Sequence, residues 1–203
     1  MWFATDRGVA VVVSSGNRLD SSVLPPVIRD LINFSDQSID DWQVFPAMIE
    51  PCIVVGAVQD RMPFGNLHFF GNRVNIWAPI VSPEYRPAPQ ETITPPNEWV
   101  CEYLGGTSGA APYVTGTIAA MQAVNPALNP RNPALSPRQR LAIPGLTRGI
   151  LTNSAWTTAE LAAMTSDPAV AAQVTAGAPQ RRHLINPLRA VQRAAAGVIP
   201  DFA

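Results

Sequence analysis

Short apolar runs alternate with polar turns along the chain, as in proteins whose sheets are covered on both faces. Residues 9–13 (VAVVV) are continuously apolar and mostly β-branched, which predicts a buried strand. Residues 1–7 predict the end of a helix, and Gly8 suits a left-handed cap after it. Residues 52–58 (CIVVGAV) and 73–79 (RVNIWAP) predict two further strands. This order of elements predicts an α/β fold with a mostly parallel sheet.

Proline and glycine divide the second half of the chain. Residues 81–98 hold five prolines and predict a long surface loop, and residues 98–104 predict a strand that leads to a Gly-Gly turn. A helix is predicted from Ser108 to Asn125, and a second proline-rich loop follows near 126–144. The helix prediction rests on apolar residues at spacings of three and four, namely Ala111, Val114, Ile118 and Met121. Short helices are predicted near 146–153, 157–164 and 186–196.

Composition narrows the classes of function. The 203 residues fit one domain or part of a larger one, and 47% of them are hydrophobic, enough for a sizeable core. A formal net charge of −1 gives no electrostatic case for a nucleic-acid partner. No apolar run reaches the roughly 18 residues of a membrane span, and the amino terminus lacks the features of a signal peptide. Cys52 and Cys101 are expected to form one bridge or to be two buried thiols.

The segment GGTSGAAPYVTG, residues 105–116, carries the clearest candidate for chemistry. Ser108 stands at the predicted helix start, where unpaired N–H groups and a partial positive charge favour a developing oxyanion. Acyl transfer needs a second oxyanion donor, and Asn17 follows the first strand, at the edge where parallel sheets bind ligands. A serine also needs a base. The two histidines, His68 and His183, both lie in segments that favour a structural role.

At these residues the chain resembles the subtilisin-like serine proteases. GTSGAAPYVTG resembles the family's nucleophile motif G-T-S-x-A-x-P-x-V-x-G, with Ser108 as the nucleophile, and GVAVVVSSGN resembles the strand that carries the oxyanion-hole asparagine, here Asn17. VFPAMIEPCIVVGAV, FFGNRVNIWAP and RRHLINPLRAVQRA resemble later segments in the family's order. The resemblance implies a three-layer α/β fold, with helices on both faces of a mostly parallel sheet and with the N-terminal strands missing.

The resemblance also implies that part of the catalytic machinery lies elsewhere. In the family the catalytic Asp and His precede the oxyanion asparagine, whereas only 16 residues precede Asn17 here, and they contain Asp6 and no histidine. Asp6 matches an ordinary helix position. Residues 1–203 are therefore expected to be the C-terminal portion of a peptidase domain, with an upstream segment or a separate chain supplying the Asp and His.

The resemblance implies a peptide or protein substrate, no required cofactor and no membrane partner. Substrate contacts are expected from Ser14, Ser15, Gly16, Gly106 and Thr107, and Thr107 is also expected to act as a turn and packing residue. Calcium sites are common in the family, but no acidic cluster in this sequence supports one. Secretion is common among its members, so an extracellular location is the expectation, although the sequence shows no signal peptide.

Two alternatives stand beside this interpretation. Residues 106–110 approximate the G-x-S-x-G elbow of α/β-hydrolases, in which Ser108, Asp167 and His183 would follow the order of that fold's triad in a serine esterase. The other alternative is a catalytically inactive, truncated subtilase that acts as a binding or structural piece, since a sheet without its upstream strands presents an edge for pairing.

Overall fold

A computed structural model describes residues 2–16, 47, 49–58, 73–79, 106–164, 166–169, 171–172 and 183–197, and the backbone of 83–87 and 99–103. Within these ranges the elements are α1 (Trp2–Thr5), β1 (Val12–Ser14), β2 (Ile53–Val58), β3 (Ile76–Pro79), β4 (Pro83–Pro87), β5 (Trp99–Tyr103), α2 (Thr107–Val124), a 3-10 turn (Pro126–Leu128), α3 (Pro137–Ser154), α4 (Thr158–Ala163) and α5 (Pro187–Ala195). None of the described helices is both long and apolar enough to span a membrane.

Three predicted strands form one parallel sheet in the order β1, β2, β3. Residues 183–185 extend this sheet beyond β3, because the Trp77 N–H donates to the His183 carbonyl and the Ile185 N–H donates to the Trp77 carbonyl, each over 2.8 Å. Among the described residues β1 is therefore an edge strand. The predicted α/β fold with a parallel sheet is confirmed.

The main core lies between one face of this sheet and the helices α2, α3 and α5. Buried residues of α2 include Val114, Ile118 and Met121, so the predicted apolar stripe is confirmed. Each such side chain contributes about 1.5–3 kcal/mol through burial. The strands contribute Ile53, Val55, Ala57, Ile76 and Ala78 to the same cluster.

A second apolar cluster covers the opposite face of the sheet and includes Cys52, Val54 and Trp77. Cys52 is a buried thiol, and burial raises its pKa. Gly56 lies under Trp77, where a Cβ would meet the indole ring at 2.5 Å. The side chain of Cys101 lies outside the described residues.

The start of the chain packs against α3 through Gly8. Its φ of +79° belongs to the left-handed region that was predicted for a cap after α1. A Cβ at this position would stand 2.5 Å from the Arg140 carbonyl oxygen. That carbonyl lacks a helical N–H partner because the residue four positions later is Pro144. The glycine thus permits close contact between α1 and α3.

Both predicted proline-rich loops were wrong in part. Residues 83–87 form β4, which pairs antiparallel with β5, whereas a loop was predicted over 81–98. Helix α3 begins at Pro137, inside the loop predicted near 126–144. Here Ser136 and Gln139 form a capping box, and a proline at the first helical position sacrifices no hydrogen bond. The first strand is also shifted, from the predicted 9–13 to Val12–Ser14.

Candidate functional site

The predicted nucleophile lies in the first turn of α2. The helix begins at Thr107, and Ser108 is exposed. Gly106 precedes the helix with φ 76° and ψ −167°, a backbone conformation that side-chain-bearing residues rarely adopt. The Gly109 N–H donates to the Gly106 carbonyl over 3.1 Å, which tightens the turn before the serine. Gly106 therefore allows the sharp turn into α2 that leaves Ser108 exposed at the surface.

A hydrogen bond joins this turn to the turn that follows β1. The Gly16 N–H donates to Thr107 Oγ1 over 3.2 Å, across 91 positions of sequence. Thr107 is fully buried, and Gly16 has a φ of +99°. The Ser15 N–H donates to the Val55 carbonyl over 2.9 Å, so the strand ladder continues up to this turn. The carboxyl end of β1 and the start of α2 consequently meet at one place.

The electrostatics of this place favour negative charge. Helix α2 has 18 residues, and no side chain caps its first turn at Gly106. N–H groups in the first turn of a helix lack intrahelical partners and carry part of a positive charge equivalent to about half an elementary charge. An anion that forms next to Ser108, such as a tetrahedral oxyanion, would be stabilised there.

The predicted substrate-contacting residues occupy different depths around Ser108. Ser15 and Thr107 are fully buried, Gly106 is buried, and Ser14 and Gly16 are half-buried. Asn17, the predicted oxyanion partner, and His68 lie outside the described residues. The structure thus brings Gly16 to Thr107.

The alternative partners Asp167 and His183 are engaged elsewhere. The Asp167 carboxylate accepts the Ala169 N–H over 2.8 Å and so caps a local turn. His183 lies beside β3. The order across the sheet is β1, β2, β3 and then residues 183–185. Neighbouring strands lie about 4.8 Å apart, so three spacings separate β1 from residues 183–185 by about 14 Å. A general base must stand within about 3 Å of the hydroxyl it activates, and this arrangement therefore gives no support to a Ser108–Asp167–His183 triad.

No metal centre is evident in the described part of the chain, where no three His, Cys, Asp or Glu side chains cluster suitably for an ion. A close ionic cluster does fasten α4 to α5. Arg189 Nη2 donates to Glu160 Oε1 over 2.9 Å, and Arg189 Cζ lies 4.9 Å from the centre of the Trp156 ring. The hydrogen bond from Arg189, with further bonds from Thr157, lowers the pKa of Glu160 to about 2. This cluster is structural.

Sequence reasoning missed the link that Thr107 makes. The sequence suggested a substrate contact and also a turn and packing role for Thr107, and its burial and its acceptance of the Gly16 N–H agree with the second of these. The local signals for this hydrogen bond were a threonine directly before the serine and a glycine two residues beyond a strand. Neither identifies the other as its partner, because the two positions are 91 residues apart.

Comparison with protein families gives one match of direct relevance. A family model described as "Subtilase family" matches residues 1–183. No relative among the curated proteins matches the chain.

Two solved structures with a similar fold are proteases. One is a protease from Pseudoalteromonas arctica PAMC 21717, with a TM-score of 0.57, 17% identity, and coverage of 94% of this chain and 44% of that one. Another is the prenylagaramide maturation protease PagA, with a TM-score of 0.50, 18% identity, and coverage of 96% of this chain and 53% of that one. The chain therefore spans about half the length of these structures. The subtilase match over residues 1–183 favours the subtilisin-like interpretation over the α/β-hydrolase alternative.

Proposed function

Because the chain belongs to the subtilase family, we propose that it is the C-terminal part of a serine endopeptidase domain, with Ser108 as the nucleophile. Ser108 Oγ gives its proton to the base and attacks the carbonyl carbon of a peptide bond. The C–N bond breaks, the amine half leaves with that proton, and water then hydrolyses the acyl-enzyme to release the carboxylic acid half. The Ser108 N–H and the Asn17 side chain bind the oxyanion. The substrate is a peptide or protein chain.

The observation that carries this proposal is the Gly16–Thr107 hydrogen bond. It ties the turn that leads into Asn17 to the turn that presents Ser108. Two oxyanion donors from distant parts of the sequence require such a fixed relation, because an oxyanion hole acts through donors that are already in place. The exposed position of Ser108 at a helix start supports the same role.

The base and the acid of the triad are proposed to come from polypeptide other than the described residues of this chain. His183, the histidine in the described part, lies about three strand spacings from β1. Removal of one triad member leaves only the residual catalysis of the oxyanion hole and of binding. If the base and the acid lie in an upstream segment or a separate chain, the 203-residue chain by itself should hydrolyse peptides very slowly.

Fluorophosphonate labelling with and without added imidazole tests this proposal. Imidazole supplies a diffusible base, so we expect it to accelerate labelling of Ser108 selectively, as measured by mass spectrometry of peptides. Ser136 is the matched control, because it is also an exposed serine at a helix start. Without imidazole the two serines should react at similar rates, and Ser108→Ala should remove only the accelerated site.

Two results would count against the proposal. Equal labelling of Ser108 and Ser136 in the presence of imidazole would show that Ser108 is not a prepared nucleophile, and would favour the inactive binding piece. Rapid labelling of Ser108 without imidazole would show that this chain contains its own base. Secretion, which is common in the family, is part of the proposal and is tested by locating the protein in fractionated cultures.

A further inference from the structure

A cavity of about 450 Å³ opens at the amino end of the parallel sheet. Cys52, directly before β2, and Asn75, directly before β3, line it from the strands, and Arg148 of α3 lines it from the helical side. Cavities that bind small molecules commonly measure about 300–1,000 Å³ and combine apolar walls with a few fixed polar groups. The volume of this cavity is therefore sufficient for a small molecule.

This cavity is separate from the candidate functional site around Ser108. Ser14 of β1 is the partner of Val55 in the register of the sheet. Cys52 lies three residues before Val55. Gly16, in the turn that contacts the nucleophile segment, lies two residues beyond Ser14. Five strand residues at about 3.3 Å each place the cavity roughly 16 Å from that turn, towards the opposite end of the sheet.

Asn75 offers a fixed hydrogen-bond donor beside the cavity. The Val54 N–H donates to Asn75 Oδ1 over 2.8 Å, and the Asn75 N–H donates to the Val54 carbonyl over 2.9 Å. These two bonds hold the side-chain amide of Asn75 in one orientation. Among the described residues no hydrogen bond uses Asn75 Nδ2, so its N–H groups remain for a ligand.

Arg148 is held in a similar way by Glu50. Its Nη1 donates to the Glu50 carbonyl over 3.2 Å and lies 3.8 Å from Glu50 Oε2. Within the described part of the chain, its Nε and Nη2 make no hydrogen bond. A guanidinium is planar, and two of its donors fit the two oxygens of a carboxylate. Arg73, which is exposed, adds a second positive charge to the lining.

The charge and the apolar part of the lining indicate the class of ligand. Two arginines and Glu50 leave the lining with a net charge of +1, and the Glu50 side chain is 80% exposed to water. A singly charged carboxylate matches this charge, whereas a phosphate monoester carries about −1.5 to −2 at neutral pH. Ile49 and Val54 belong to the second apolar cluster and line the same cavity. They offer contact for a short hydrocarbon tail.

We propose that this cavity binds a small monocarboxylate with a short, branched hydrocarbon tail. The carboxylate accepts hydrogen bonds from Arg148 and from Asn75 Nδ2, and Arg73 attracts it electrostatically. The tail packs against Ile49 and Val54. Such a ligand joins α3 to the amino ends of β2 and β3, so binding should stabilise the fold. The site is independent of the proposed peptidase activity, because it lies at the other end of the sheet.

Titration of the isotope-labelled chain with isocaproate, followed by nuclear magnetic resonance, tests this proposal. The backbone amide signals of Val54 and Asn75 should shift saturably, while that of Gly109, next to the nucleophile, should not move. Isocaproamide has the same tail without the charge and should bind at least about tenfold more weakly, the factor that corresponds to one charge-assisted hydrogen bond. Acetate, which lacks the tail, and phosphate should also bind more weakly than isocaproate.

Three variants locate the binding. Asn75→Asp keeps an oxygen that accepts the Val54 N–H and replaces the Nδ2 donor by a negatively charged oxygen, so it should stay folded and lose at least about tenfold in affinity. Arg148→Gln should weaken binding to a similar extent. Arg138→Gln is the matched control, because Arg138 is exposed on the same helix, outside the cavity, and its replacement changes the net charge equally. This control should leave the affinity unchanged.

The proposal is overturned if no saturable shift occurs, if isocaproamide binds as tightly as isocaproate, or if phosphate binds more tightly. Equal weakening by Arg138→Gln and Arg148→Gln would also overturn it, since the ligand would then respond to the overall charge of the chain. Should Arg148→Gln fail to fold, Asn75→Asp still decides, and unchanged affinity in that variant refutes the site.

Discussion

Replacing Thr107 by valine probes the contact that assembles the candidate site. Valine keeps the shape of threonine but removes Oγ1, so the Gly16 N–H loses its acceptor. An unpaired buried donor costs about 1–3 kcal/mol, and since Gly16 is half-buried we expect the lower end, about 1 kcal/mol. Urea unfolding should report that loss. Exchange of the Gly16 amide should become about fivefold faster, the factor that corresponds to this free energy.

Thr107→Ser is the matched control for this experiment. Serine retains the acceptor oxygen and loses one methyl group, so the Gly16 amide should stay protected while stability falls only through the lost methyl. Imidazole-dependent labelling of Ser108 should be slower in the valine variant than in the serine variant. Equal Gly16 exchange rates in the two variants would refute the reasoning, because they would show that the hydroxyl does not hold the two turns together.

Two further predictions concern the frame of the fold. Gly8→Ala should lower the free energy of unfolding by at least about 1 kcal/mol more than Gly197→Ala, as compared by urea unfolding. Both glycines have positive φ, but only at Gly8 would the new Cβ meet the Arg140 carbonyl, at 2.5 Å. Glu160→Gln should lower stability at neutral pH, because it removes the charge that Arg189 stabilises. The pKa of Glu160 falls from 4.5 to about 2 in the folded state, so the wild-type advantage should be complete above pH 4.5 and should vanish as pH falls towards 2 in thermal unfolding scans. Equal losses at the two glycines, or a pH-independent difference for the glutamate, would contradict these assignments.

Local pattern was sufficient for the elements that carry the site. The apolar spacing after Ser108 predicted α2 to within one residue of its start. The β-branched run before Ser14 predicted a strand in this region, although the strand is Val12–Ser14 and only Val13 in it is buried. Both signals are patterns of apolar side chains along the chain, so they can be recognised without knowing which elements pack against them. The left-handed conformation of Gly8 was also predicted from the sequence, because glycine adopts that conformation more readily than other residues.

The predicted loops were wrong at prolines that lie inside strands or helices, because the effect of a proline depends on its position within the element. Pro83 and Pro87 stand at the two ends of β4, where edge positions tolerate a missing N–H. Pro137 is the first residue of α3, where the missing N–H would have had no partner. Pro144 lies inside the same helix and faces the core, and the carbonyl it leaves without a helical donor contacts Gly8. Neighbouring elements distinguish Pro83, Pro87 and Pro144 from loop residues, whereas Pro137 has a local signal in the Ser136–Gln139 capping box.

The sequence by itself indicated the family, the order of the strands and helices apart from β4, and Ser108 as the candidate nucleophile, because motifs and periodicities are local properties of the chain. Tertiary structure decided which turns meet. The Gly16–Thr107 bond spans 91 positions, and the displacement of His183 to the far side of β3 follows from the order of strands in the sheet. Strand order and contacts between distant turns arise from packing of the whole sheet, so neither could be obtained from local pattern.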